Sequence, residues 1–272
     1  MALRAVPIGQ YLPRDSVVHR LDPRTKILAT TVLTVAVFLV GTFLGYALFA
    51  AVVAGLILVS RIPPRTVLAG LRPVLFLLLL TVLLNLLFGG TTGSRVLLRV
   101  GPVVLTVEAV TRAVFVGLRL LLLVVVTSLF TYTTSPMELT DGMERLLRPF
   151  RRVGIPGHEL AMMMSIALRF IPTLLEEAER IMKAQMARGA EFGRGNLVQR
   201  ARALLPILVP LFVSAFRRAD ELALAMEARG YRGGEGRTRM RELRFGARDL
   251  VAAVVTAMVV LLVALPGRVA WR

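Results

Sequence analysis

The sequence predicts an all-α polytopic membrane protein of about five membrane-spanning helices plus a cytoplasmic module of three helices, two of them long. Three observations predict it. The chain is 56% hydrophobic with a mean hydropathy of +0.71. Its apolar residues gather into uncharged blocks at 27–60, 73–94, 120–137 and 250–267, whereas a soluble domain interleaves them with charge. The block 132–246 between the last two spans is rich in charge and helical in pattern, too long and too regular for a loop.

The elements follow in order. Residues 1–23 form a basic segment without the apolar core and cleavage site of a signal peptide. The uncharged run 27–60 is too long for one span, and Gly41 and Gly45 bracket a tight turn, so two helices are expected, 24–41 and 44–60. Asp22-Pro23 supplies an N-cap followed by proline at the first helical position. A third span is expected over 71–89, ending in "GGTTGS", and a fourth over 106–132; together these make a four-helix membrane region, 24–132. Residues 133–246 form the cytoplasmic module. A last span, 247–265, lies in a final segment, 247–272, with Trp271 as an interfacial anchor.

Lys and Arg set the orientation. With the N-terminus inside, 28 fall on the cytoplasmic side and four outside, Arg112 and Arg119 apart; cytoplasmic loops retain such charge. The net charge of +17 is therefore read as membrane topology, and no nucleic-acid partner is expected, because no soluble basic module with groove-fitting elements is present. Arg119 lies within the fourth span. An intramembrane arginine is a functional candidate by default, but snorkelling or pairing within the bundle is the preferred reading.

In the cytoplasmic module, Ser135-Pro136-Met137-Glu138 reads as a capping box opening an amphipathic helix that lies along the membrane surface. A second helix, 157–188, is apolar near its start and charged toward its end, with Pro172 inside. At 1.5 Å per residue it is roughly 48 Å long. A third starts at a candidate N-cap, Asn196, and reaches about Arg229. Its middle, "ALLPILVPLFVSAF", is apolar on every face, and "RRADELALAMEARG" follows. Both long helices end in the same way, at Ala187-Arg188-Gly189 and at Ala228-Arg229-Gly230, 41 residues apart.

One such ending is what a helix stop requires: glycine adopts the left-handed conformation past the last turn, and arginine suits the negative end of the helix dipole. Two of them, at the distal tips of two long helices, point to a partner. A guanidinium fork docks on carboxylates or carbonyls in a groove, and a matched pair of tips fits a two-lobed partner. The expected partner is a cytoplasmic dimer with acidic docking grooves.

Chemistry within the chain is largely excluded. There is no G-x-x-x-x-G-K-[ST] loop, and the two lysines are Lys26 and Lys183, so the chain is not expected to bind ATP. No cysteine and two isolated histidines, His19 and His158, argue against a metal or catalytic site. No catalytic residue and no cofactor of its own are expected. Met162-Met163-Met164 reads as adaptable packing surface. A secondary transporter or other permease acting alone is the alternative function; it calls for inverted repeats and midplane polar groups, for which Arg119 and Asn85 are the candidates.

At this point the sequence resembles a known family. "IGQYLPRDSVVHRLDPRTKIL" is similar to the opening of EcfT, the transmembrane subunit of energy-coupling factor ABC importers. "MARGAEFGRGNLVQRARALLPILVPLFVSAFRRADELALAMEARGYRGGEGRTRMREL" is similar to that family's coupling module. The resemblance covers about residues 8 to 245 and favours the type that serves several substrate subunits. It implies that the two long helices cross in an X. It implies that Ala187, Arg188, Gly189, Ala228, Arg229 and Gly230 dock on two ABC ATPase subunits, expected as a heterodimer, which bind the ATP. It also implies that the apolar halves, with Met163, Ile171, Leu174, Leu208, Leu211 and Phe212, face one or more membrane-embedded substrate-binding (S) subunits that capture a vitamin or micronutrient. The chain itself is then a non-catalytic scaffold in the lipid bilayer of a prokaryotic plasma membrane.

Overall fold

A computed structural model describes residues 11–88, 96–100, 103–154, 156–190, 192, 196–233 and 245–267. "GGTTGS" and Trp271 lie outside them. The chain divides into a unit built on Ile8–Gly142 with Leu243–Arg272 and a second unit built on Met143–Glu242.

The first unit is a helical bundle. Helix α1 (Pro23–Leu39) starts where Asp22 accepts a hydrogen bond from the Arg24 amide, with Pro23 in the first turn. Helix α2 (Phe43–Ser60) is capped by Thr42, whose hydroxyl accepts from the Gly45 amide, and ends on Arg61 in the left-handed region. Helix α3 spans Pro64–Phe88, beginning seven residues before the expected 71. The expectation followed the uncharged run, but Pro64 favours a helix start and two further turns carrying Arg65 and Arg72 precede the apolar stretch. Helix α4 (Val107–Thr133) is capped by Thr106, and helix α8 covers Ala247–Gly267.

A two-stranded antiparallel hairpin, β1 (Val96–Val100) and β2 (Val103–Thr106), sits between α3 and α4. It was absent from the sequence reading. The segment is apolar at nearly every position, so it lacks the alternation by which a half-buried strand is recognised.

The bundle core is shared by Val37 and Val40 of α1 and its end, Tyr46, Phe49 and Val53 of α2, Leu122, Val126 and Leu129 of α4, and Val259 and Val263 of α8. Helix α3 lies close on α4: a side chain at Gly117 would meet Val82, and one at Gly70 would meet the Tyr132 hydroxyl. Small residues permit such approach where lipid supplies no driving force between helices.

Among the described residues, Phe43–Ser60, Pro64–Leu87, Val107–Thr133 and Gly157–Ala187 are long and apolar enough to cross a membrane. Where the first and last spans are expected the structure has helices, α1 and α8, which are not among these four; α1 has 17 residues, about 25 Å of helix. The fourth segment belongs to the helix expected in the cytoplasmic module. It qualifies through its apolar first half, while Glu176, Glu177, Glu179, Arg180 and Lys183 load the remainder.

One end of the bundle is closed by a buried polar cluster. The Lys26 ammonium is buried and donates to the carbonyls of His19 (2.8 Å) and Thr133 (3.0 Å) and to the Glu138 carboxylate (3.2 Å). Asp249, also buried, accepts from the Asp22 amide at 2.8 Å and from the Gly246 amide at 2.9 Å, joining the start of α8 to the start of α1. Helix α5 (Pro136–Leu147) begins as expected with the Ser135 hydroxyl accepting from the Glu138 amide. The Glu138 carboxylate, however, reaches Lys26. Lys26, expected among the charges of the cytoplasmic side, is an internal strut. Helix α5 rests on the first turn of α1, where a side chain at Gly142 would come within 2.9 Å of Pro23 and Ile27.

His19 completes this end. Its Nε2–H donates to the Leu12 carbonyl (3.1 Å), so Nδ1 is the acceptor for the Ser16 hydroxyl (2.7 Å). Burial pushes its pKa down, against the upward pull of the Leu12 carbonyl. Because the folded value lies below the unfolded one, the neutral ring's contribution is present above about pH 6.5 and is lost as pH falls through the folded value. In thermal melts of the detergent-solubilised protein between about pH 7.5 and 5, His19→Gln is therefore expected to lose less stability on acidification than the parent. Parallel acid slopes for the two proteins would refute this.

Candidate functional site: two arginine helix ends

The second unit is dominated by helix α6 (Gly157–Ala187) and helix α7 (Leu197–Ala228). A short 3-10 segment, Arg148–Val153, follows α5, and Gly157 then packs on Leu147. His158 Nδ1 lies 2.9 Å from the Glu144 carboxylate. Helix α7 opens at the expected Asn196, whose amide donates to Gln199 Oε1 at 3.0 Å. Both helices continue through their internal prolines, Pro172 in α6 and Pro206 and Pro210 in α7.

The two ends repeat in geometry as well as in sequence. At the end of α6 the Gly189 amide donates to Met186 O and the Ala190 amide to Gln185 O, both at 3.0 Å. At the end of α7 the Gly230 amide donates to Glu227 O (2.9 Å) and the Tyr231 amide to Met226 O (3.0 Å). Each is a Schellman closure, and Gly189 and Gly230 take the left-handed φ of +88° and +70° that it requires. Arg188 and Arg229 occupy the same C-cap position with matching backbone angles, φ −87° and −86°. Ala187, Arg188, Gly189, Ala228, Arg229 and Gly230 are all exposed. Among the described residues neither guanidinium has a side-chain hydrogen bond or an ion pair.

The helices run antiparallel where they touch. The Arg218 guanidinium meets the Glu177 carboxylate at 3.0 Å, and the Gln185 amide donates to the Pro206 carbonyl at 3.4 Å. Advancing along α6 thus means retreating along α7. Arg188 lies just beyond Gln185 and so close to the level of Pro206, whereas Arg229 lies 23 residues further along α7. The two tips are therefore separated by roughly 35 Å along that axis.

The apolar halves turn much of their surface outward. Met163, Leu208 and Phe212 are exposed, while Ile171, Leu174 and Leu211 are half-buried. On α7 the exposed residues Leu204, Leu205, Leu208, Val209, Phe212, Val213 and Phe216 form one stripe, spaced as a single helix face demands. The middle of α7, read as apolar on every face, thus has a bare apolar side, and Ile207 is buried on the other.

Arg119 is half-buried in α4, its Nε without a partner and its guanidinium 5.6 Å from the centre of the Phe38 ring. Asn85, the other midplane polar candidate, donates to Thr81 O within its own helix. Among the described residues no cluster of three His, Asp or Glu side chains could hold a metal ion. The sequence reading missed the Glu177–Arg218 and Lys26–Glu138 pairs. Only the first left a signal, since acid at 176–177 faces base at 217–218 at the same 41-residue offset as the tips.

A polytopic helical bundle and a pair of long helices with duplicated arginine ends, carried by one chain, define a class, that of all-α polytopic membrane proteins. The chain matches the family CbiQ, described as cobalt transport protein, over residues 14–240. It is 56% identical to the energy-coupling factor transporter transmembrane protein EcfT of Thermosediminibacter oceani, over 94% of this chain and 96% of that one. The proteins of the same name from Clostridium kluyveri (49% identical, 99% of both chains) and Acidaminococcus fermentans (52%, 96% of both) are similarly close. The chain belongs to the EcfT family of energy-coupling factor transporter transmembrane proteins: it is a multi-pass membrane component of a transport complex.

Proposed function

We propose that this subunit transmits ATP-driven motion of a pair of ABC ATPases to a membrane-embedded substrate-binding subunit, for uptake of a vitamin or micronutrient. The observation that carries the proposal is the duplicated tip: two Schellman-closed helix ends, each presenting an exposed arginine without a partner, set roughly 35 Å apart. A C-cap arginine needs no partner to stop a helix, but two held free at matched positions are suited to two equivalent grooves. Arg188 enters one ATPase and Arg229 the other. The ATP is bound by those partners, and the chain contributes no catalytic group and no cofactor of its own. The bare apolar stripe of α7, with Met163 and its neighbours on α6, receives the substrate-binding subunit. The N-terminus and the paired helices lie on the cytoplasmic side of a prokaryotic plasma membrane, where the excess of arginine belongs.

The test is co-expression of the full chain with candidate ABC ATPase and substrate-binding subunits in a lipid-compatible detergent. The expected result is a stable assembly containing both an ATPase pair and a substrate subunit, active in ATP-dependent uptake when reconstituted. A chain that purifies alone and transports without ATP would instead establish a permease acting by itself.

A further inference from the structure

The 41-residue offset between the tips recurs in the contact that joins their helices. Glu177 lies 11 residues before Arg188, and Arg218 lies 11 residues before Arg229. The two copies therefore align as "EEAERIMKAQMARG" and "RRADELALAMEARG", with Glu177 and Arg218 in equivalent places. The structure joins those two residues, Arg218 Nη2 to Glu177 Oε2, at 3.0 Å.

When equivalent positions of an antiparallel pair touch, they mark the local two-fold axis relating the helices. Both tips then lie the same number of residues from that axis, each roughly 16 Å out along its own helix. A true two-fold would bring identical residues together there, and like charges would repel. This chain resolves the conflict by carrying Glu176-Glu177 in one copy and Arg217-Arg218 in the other.

The apolar packing where the helices meet is partial: Leu174, Ala178 and Met182 on α6 and Leu211, Ala215 and Leu222 on α7 are half-buried. Of the described α7 residues Ile207 alone is buried, and of α6 only Gly157 and Ala161, near its start. The apolar stripe that could have formed a shared core points outward. Among the described residues, two polar contacts add to that packing. Arg218 is held by the Glu177 carboxylate, with the Phe170 ring centre 6.0 Å from its guanidinium. The second contact depends on proline chemistry: Pro210 has no N–H to donate to the carbonyl four residues back, and that carbonyl, Pro206 O, accepts from Gln185 instead.

We propose that Glu177 and Arg218 are positioning residues: their ion pair, on the pseudo-two-fold axis of α6 and α7 and seconded by Gln185 on the Pro206 carbonyl, holds the two arginine tips equidistant and at fixed separation. It deepens the functional reading above, in which a two-lobed motor needs both tips in register at once. The geometric part stands without that reading.

The chain has no cysteine, so a reporter pair can be introduced cleanly. Lys183 and Leu224 are equivalent positions, 41 residues apart, and both are well exposed, the Lys183 side chain at 72% and Leu224 at 67%. Spin labels on Lys183→Cys and Leu224→Cys in the full-length protein in nanodiscs give the distance between the helices near their tips by pulsed electron resonance. The expected result is one narrow distance for the parent, a broadened or shifted distribution for Arg218→Glu, and return of the narrow distance in the exchange Glu177→Arg with Arg218→Glu. Arg218→Glu matching the parent overturns the proposal, and so does a well-folded exchange variant that stays broadened. In the reconstituted transporter, uptake should fall about tenfold in Arg218→Glu and recover in the exchange, since the effect belongs to the pair and not to either residue. Distances that respond while uptake does not would remove the functional reading and leave the pin in place.

Discussion

Replacing Arg188 and Arg229 together with alanine is expected to abolish ATP-driven uptake, and each single replacement to weaken association with the proposed ATPase pair. A desolvated arginine at an interface centre contributes about 2 kcal/mol or more, so each single change is expected to cost on the order of 30-fold in affinity. In the proposed assembly the two ends enter separate grooves, roughly 35 Å apart, and losses at independent sites add. The double variant should therefore fall by about a thousandfold and lose transport altogether. Lysine will not substitute, because a point charge cannot reproduce the planar fork, and glutamate should do worse than alanine by placing acid against acidic grooves. Lys183→Ala is the control, exposed and close to the α6 tip, with a single 4.0 Å contact to Glu179. The measurements are retention of the ATPases on affinity-purified chain and uptake in proteoliposomes. Normal uptake by the double variant would falsify the docking role.

These effects should not arise from unfolding. The Schellman closures are made by backbone amides and carbonyls with Gly189 and Gly230 at positive φ, and alanine at the C-cap leaves every one of those bonds intact. What arginine adds locally is its interaction with the helix dipole, about 0.3–1 kcal/mol at an exposed site. That is too little to unfold a 31- or 32-residue helix.

How far the sequence disclosed this architecture depends on whether the signal was local. Helix starts set by one side chain were legible: Asp22 before Pro23 and Asn196 before α7 both occur where the residue types demanded. So was the duplicated end, because glycine after a helical run favours the left-handed position that closes it and arginine suits the last turn. The start of α3 was misjudged because charge marks the edge of an apolar stretch and not of a helix, and α3 carries Arg65 and Arg72 as helical residues. The hairpin 96–106 escaped because its strands are apolar on both faces. Long-range polar pairs were illegible for a different reason. Nothing in "DPRTK" distinguishes a lysine that flanks a span from one that turns inward to meet Thr133 and Glu138, more than a hundred residues away. The 41-residue offset pointed to the tips, but only an antiparallel pairing turns the same offset into a contact between Glu177 and Arg218.

The largest expected loss of stability comes from that inward lysine. Lys26→Met keeps most of the apolar stem and removes the ammonium, leaving the His19 and Thr133 carbonyls and the Glu138 carboxylate without the donor they share. Breaking a buried charged contact by deleting one partner costs about 3–5 kcal/mol, and orphaned buried carbonyls add to the same side of the balance. Glu138→Gln should cost less, because that side chain is 34% exposed and its amide oxygen can still accept from the lysine. The order of the two effects is informative. Were the ion pair alone responsible, Lys26→Met combined with Glu138→Leu would recover most of the stability, as when a buried pair is replaced by apolar groups. The two carbonyls remain unpaired in that variant, so recovery should be partial, and the residual measures what Lys26 does for the backbone at the end of α4 and in the turn before α1. Thermal unfolding of the parent, Lys26→Met, Glu138→Leu and the combined variant in the same detergent gives both quantities by a double-mutant cycle. Full recovery in the double variant would reassign Lys26 to a simple charge partner of Glu138. An unchanged melting temperature in Lys26→Met would show that the buried cluster does not hold the corner between α4 and α5.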